Sequence, residues 1–217
     1  MKKVKISFIL NFIIVLLVVL GCIFMFTGFK FMSDQTLLEA SKIEMFKFYT
    51  VDSNILMGIV SFIFVIYDMK LLKNKINSIP IFVYILKLVA TSGITLTFLT
   101  TLLFLAPQYG FYAMYNNTNL FFHLIVPMLS LISYIIFEKH NNKYKYALLG
   151  ILPMFIYSIY YTSVVLINLN NNWIKYDFYG FLQGKISNIY IVMPIIYLLS
   201  YFISLGLVFF NKINKKI

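Results

Sequence analysis

Residues 6–29 read ISFILNFIIVLLVVLGCIFMFTGF, twenty-four positions with no charged side chain. A helix rises about 1.5 Å per residue, so about 20 apolar residues cross the hydrocarbon core of a bilayer. This stretch is long enough, and five more runs like it follow, at 48–67, 82–107, 119–137, 146–168 and 188–210. Composition agrees: 61% of the chain is hydrophobic and only 12% charged, with a mean hydropathy of +0.88. A water-soluble domain carries roughly a quarter charged residues. The expected fold is therefore all-α, a polytopic membrane bundle of six transmembrane helices. The connections are short, with no soluble insert and no repeat, so residues 1–217 are expected to form one transmembrane domain.

The net charge of +11, from 18 lysines against seven acidic residues, would point to nucleic acid in a soluble protein. Here the lysines cluster between apolar runs and report topology, so no nucleic-acid partner is expected. Lys2, Lys3, Lys5, Lys70, Lys73, Lys75, Lys139, Lys143, Lys145, Lys212, Lys215 and Lys216 fall on one side. Lys30, Lys42, Lys47, Lys175 and Lys185 fall on the other. The positive-inside rule places both termini in the cytoplasm and the chain in the plasma membrane. Lys87, near the start of the third run, is expected to snorkel to the cytoplasmic interface. Richness in Lys, Asn, Ile and Phe without arginine points to an AT-rich, bacterial genome. The start also carries a loose lipoprotein-like signature, Val19-Leu20-Gly21-Cys22, but Ile23-Phe24-Met25-Phe26 keeps the run apolar, and an uncleaved first helix is the expectation. One cysteine excludes intramolecular disulfides and cysteine-based zinc sites.

Polar groups inside membrane spans are costly and are the first places to look for chemistry. The second run opens Tyr49-Thr50-Val51-Asp52-Ser53-Asn54-Ile55-Leu56, and the fourth holds His123-Leu124-Ile125-Val126-Pro127. Both runs cross in the same direction, so Thr50 and His123 lie at matched depth, roughly 3–6 Å inside the hydrocarbon edge at ~1.5 Å per residue. A threonine hydroxyl needs an adjacent base to attack an ester, and a histidine supplies one. Ser53 or Asn54, one turn below Thr50, is a candidate oxyanion donor. Asp52 projects about 200° from Thr50 around the helix and is a poor orienter. The same residues also suit structural work: Thr50, Asp52 or Ser53 as a helix cap, and Asn54 with the third-run threonines as interhelical hydrogen bonds. Pro127 is expected to kink the fourth helix, and His140 to be a solvated loop residue. There is no His-Glu-x-x-His zinc motif, no Gly-x-Ser-x-Gly elbow and no phosphate-binding glycine loop. No metal or organic cofactor is implied. Charged groups midway through the bundle are not foreseen, which argues against a proton-coupled transporter.

The two motifs together resemble the androgen-induced and androgen-dependent TFPI-regulating protein family and its bacterial relatives, as do Thr95-Leu96-Thr97-Phe98 and Leu103-Phe104-Leu105-Ala106-Pro107 of the third run. The resemblance covers the first four runs. It implies a six-span threonine hydrolase acting on fatty acid esters of hydroxy fatty acids, with Thr50 as nucleophile and His123 as base. The bacterial relatives commonly carry an aspartate ten positions after the histidine, where this chain has Ser133. The 173–178 segment is only loosely similar to the corresponding family segment. The expected partners are membrane lipids or an acyl-lipid substrate. The alternative is a non-enzymatic multi-pass protein, either a small-molecule transporter or an accessory subunit.

Overall fold

The computed structural model describes residues 1–32, 42–138, 140 and 142–216, with the side chains of 215 and 216 excluded. Lys139 of the charge argument lies outside the described residues. Among the described residues six helices are long and apolar enough to cross a membrane: α1 (Lys2–Thr27), α2 (Tyr49–Leu72), α3 (Ile81–Tyr109), α4 (Thr118–Phe137), α5 (Tyr144–Ile167) and α6 (Ile186–Asn214). Each foreseen run lies largely within one of these helices. The runs form helices because a backbone in hydrocarbon must satisfy its own N–H and C=O groups. Large apolar side chains stay exposed along every helix, among them Ile9, Phe62, Leu103, Met128, Ile156 and Phe202, as a lipid-facing surface requires.

Helix α3 is central: 56% of its apolar window is buried, against 28% for α1 and for α6. It contacts α2, α4, α5 and α6, while α1 packs on α2 and α4. One core cluster joins Ile14, Val18, Met57, Phe64, Ala90, Ile94 and Val126 from four helices. Small residues set the close approaches, as is usual between helices in membranes. A Cβ on Gly58 would lie 2.8 Å from Val18, one on Gly21 would lie 2.5 Å from the Phe122 ring, and one on Gly150 would lie 2.4 Å from Ser204. Of the groups foreseen as interhelical links, Thr97 shares a 2.9 Å bond with Ser53 and Asn54 donates to the Phe122 carbonyl at 3.1 Å; Ser92, not among them, donates to the Ser200 carbonyl at 3.2 Å.

Two helices widen by one residue per turn just before a proline. The N–H of Ala106 donates to Thr101 O and that of Val126 to Phe121 O, five residues back. Pro107 and Pro127 follow directly. A proline lacks an N–H and crowds the carbonyl four residues earlier, and a π-helical turn relieves both problems. The distortion foreseen at Pro127 therefore takes the form of a π turn over Phe121–Ile125. That turn carries His123.

Lys87 does not snorkel. It is fully buried, within 3.4 Å of Glu138 Oε1, and it donates to Asn11 and Ser61. Asn11 and Ser133 also donate to Glu138 Oε1, and Ser7 donates to Asp68. A lysine turned inward is tolerable only beside a carboxylate and further acceptors, and this cluster provides them. His140 differs from expectation too: it stacks on Tyr84 at 4.3 Å, and its backbone N–H donates to Asn211. The start of α1, the end of α2, the start of α3 and the end of α4 all meet at this end of the bundle.

Candidate functional site

At the opposite end a cavity of about 130 Å³ is lined by Met25 of α1, Thr50 and Val51 of α2, Leu105 and Tyr109 of α3, and Asn119 and His123 of α4. Phe178, Tyr179 and Gly180 of the α5–α6 connection complete it. Thr50 and His123, paired by depth in the sequence, thus face one space. Among the described residues no direct hydrogen bond joins them.

The histidine is oriented by the backbone. Its Nδ1 lies 2.7 Å from the carbonyl oxygen of Met114. A carbonyl only accepts, so Nδ1 carries the proton and Nε2 keeps its lone pair. Tyr115 meets the ring edge-on, with centroids 6.5 Å apart. The π turn aims the ring inward, and π turns recur at functional sites.

Ser53 and Asn54 are not oxyanion donors in this arrangement. Asn54 spends both amide hydrogens, on Thr50 O at 2.7 Å and Phe122 O at 3.1 Å, so none remains for the cavity. Ser53 bonds to Thr50 O and Thr97 and lines a second groove on the far side of α2. Neither they nor Thr50 and Asp52 cap the helix: its cap position is Phe48, without a side-chain bond. The first free N–H of α2, that of Tyr49, donates to the Tyr179 hydroxyl at 2.8 Å. Asp52 faces away from the Thr50 cavity, in line with its helical angle.

Two polar groups not singled out in the sequence line the cavity instead. Asn119 is 4% exposed, and its amide nitrogen has no hydrogen-bond partner. A buried donor without a partner costs about 1–3 kcal/mol, a penalty a ligand acceptor would remove. Asn119 stands one turn before His123, a spacing that is visible in the sequence but carries weight only once the cavity is known. The second group is Tyr179. Burial pushes its phenol up to about 12, so the hydroxyl stays protonated and able to donate.

Tyr179 reaches the cavity because the α5–α6 connection folds over the bundle. Asp177 organises that fold: its carboxylate accepts the N–H groups of Phe181 and Leu182, both at 2.9 Å, and the Tyr161 hydroxyl. Gly180 takes a φ of 66°, a left-handed conformation natural to glycine. Leu182 is fully buried against a cluster containing Tyr49, Tyr157 and Tyr161.

Ser133 hydrogen-bonds to Glu138 in the lysine cluster. A carboxylate from the end of α4 thus sits beside that position. No group of three or more histidine, cysteine, aspartate or glutamate side chains placed to hold a metal ion occurs among the described residues. No family model, curated protein or solved structure matches the chain.

Proposed function

We propose that the chain is a membrane-embedded lipid ester hydrolase, related to the androgen-induced family that its motifs resemble. In this reading Thr50 is the nucleophile and His123 the base. The observation that carries it is the shared cavity, in which the Thr50 hydroxyl, an imidazole with its Nε2 lone pair free and an orphaned Asn119 amide face one space.

His123 Nε2 takes the Thr50 proton as the hydroxyl oxygen attacks the ester carbonyl, directly or through one water. Asn119 Nδ2 and the Tyr179 hydroxyl donate to the oxyanion of the tetrahedral intermediate. The imidazolium then protonates the leaving alcohol, and a water activated by His123 releases the acid and restores Thr50. The Met114 carbonyl holds the tautomer that leaves Nε2 basic. In this reading the cavity lies at the outer leaflet of a bacterial plasma membrane with both termini cytoplasmic, an orientation that the lysine distribution supports. Acyl-lipid esters such as fatty acid esters of hydroxy fatty acids are the substrate class. The test is release of free fatty acid from such an ester by membranes carrying the full chain. Wild type is expected to exceed empty membranes, and Thr50→Ala and His123→Ala to fall to background. Turnover equal to background in wild type contradicts the reading.

A second reading, small-molecule transport, gains support from the buried Lys87–Glu138 pair with Asp68 nearby, since ionisable groups inside bundles often mark ion pathways. Proton-coupled uptake abolished by Glu138→Gln but unaffected by Thr50→Ala would favour it.

A further inference from the structure

We propose that a second groove, on the other side of α2 from Thr50, is a binding site for a quaternary ammonium group. This inference stands independently of the hydrolase reading. The groove holds about 410 Å³ and runs between the first two turns of α2 and the facing side of α5. Phe46, Tyr49, Tyr157 and Tyr160 supply its rings, and Asp52 supplies its single charge. Tyr49 and Tyr157 stand 5.2 Å apart at 60°, and Tyr157 and Tyr160 6.0 Å apart at 55°. Aromatic rings lining one space with a carboxylate at the wall are the side chains that bind methylated ammonium ions by cation–π attraction.

The Asp52 carboxylate has neither a cation nor a hydrogen-bond donor among the described residues. The nearest lysine in sequence, Lys47, is engaged elsewhere: it pairs with Glu44 at 3.1 Å and lies 5.4 Å over the rings of Phe48 and Phe178, which line the other cavity. The positive end of the helix compensates the Asp52 carboxylate only in part, and a cationic ligand beside it would supply a full counter-charge.

The hydrogen-bonding inventory selects the kind of cation. The Tyr157 hydroxyl is spent on the Lys47 carbonyl at 2.7 Å. That of Tyr49 is buried without a partner, in a spot where a Cβ on Gly93 would lie 3.0 Å away. Ser53 is spent on Thr50 and Thr97. Asp52 and the rim hydroxyl of Tyr160 remain. A trimethylammonium group needs no hydrogen-bond acceptor and presents methyl groups to the rings, whereas a primary ammonium would have to draw all three of its N–H bonds from the Asp52 carboxylate and the rim hydroxyl of Tyr160. The apolar walls and the lipid-facing position of Phe46 and Ile156, 45% and 66% exposed, also suit the hydrocarbon beside such a head group.

Isothermal titration of the full chain in neutral maltoside micelles tests this with two probes that carry the trimethylammonium cation, choline and the zwitterionic dioctanoylphosphatidylcholine. The controls are 3,3-dimethylbutanol, the uncharged carbon isostere of choline, and dioctanoylphosphatidylglycerol. Saturable binding of either probe, weakened about tenfold by Asp52→Asn, is the expected result. Tyr160 is 43% exposed, so Tyr160→Leu leaves the fold intact and is expected to weaken binding as well. Binding of choline assigns the site to free quaternary amines, and binding of the phosphatidylcholine alone assigns it to a lipid head group. The proposal is overturned if neither probe binds saturably, if the controls bind as well as the probes, or if both variants bind like wild type.

Discussion

The amide of Asn54 donates to the carbonyl of Phe122 at 3.1 Å, the residue immediately before His123. Its other hydrogen goes to the carbonyl of Thr50 at 2.7 Å. One side chain thus fixes the backbone of the candidate nucleophile relative to that of the candidate base. Asn54 is a positioning residue: Asn54→Ala is expected to lower stability by about 1–3 kcal/mol, chiefly through the Phe122 carbonyl, because that of Thr50 keeps its bond from Ser53. Hydrolysis should fall through kcat more than KM, because the reacting groups lose their register. A melt and a kinetic series on the same preparation separate the two effects.

Asn119 offers the converse case. Its amide nitrogen is buried and unpartnered, so Asn119→Leu removes an unmet donor and should leave the melting temperature unchanged or raised. Loss of an oxyanion donor costs about 10²–10³ in kcat, and a drop of that order with stability retained is the expected signature.

The Lys87–Glu138 pair should behave as a unit. Removing one partner from a buried pair costs about 3–5 kcal/mol, while replacing both can be nearly neutral. Lys87→Met and Glu138→Gln are each expected to destabilise strongly, and the double variant less than their sum. Additive losses in a double-mutant cycle would contradict the coupling.

Helix spacing gives a steric test. A Cβ on Gly150 would meet Ser204 at 2.4 Å, and one on Gly206 would meet nothing within 4 Å. Gly150→Ala is expected to cost about 1–3 kcal/mol by overpacking, and Gly206→Ala to be neutral or slightly stabilising. Thermal melts of the two variants side by side check both signs.

Tyr179 predicts an alkaline effect. Its phenol is raised by burial from 10.0 to about 12. The unfolded chain therefore loses this proton first, and the associated stability is complete below pH 10 and lost as pH rises toward 12. Tyr179→Phe also removes the acceptor of the Tyr49 N–H, so wild type should be the more stable at pH 9. That advantage should shrink by pH 12, as paired melts across the range would show.

The six spans were legible because hydrocarbon imposes a length and a polarity on any helix that crosses it. The shared facing of Thr50 and His123 was legible for a related reason: each lies in the opening turns of a helix starting at the same end. Helical angle also separated Asp52 from Thr50 correctly. Lys87 was misplaced because its partner Glu138 lies 51 positions away at the end of another helix, a pairing that periodicity does not reveal. Asn119 and Tyr179 escaped notice for a similar reason. Asn119 matters through an absent hydrogen bond, and Tyr179 through a connection folded back by Asp177. The hydrogen bonds that occupy Ser53 and Asn54 were not legible, because spacing along one helix says nothing of carbonyls and hydroxyls on the next.

Whether Thr50 is an activated nucleophile is read out by covalent labelling. Membranes carrying wild type, Thr50→Ala and His123→Ala at equal protein levels are treated with a fluorophosphonate probe, and the modified peptide is sequenced by mass spectrometry. A single adduct on Thr50 is expected in wild type and none in either variant. An adduct on another residue, or labelling that persists in Thr50→Ala, would contradict it.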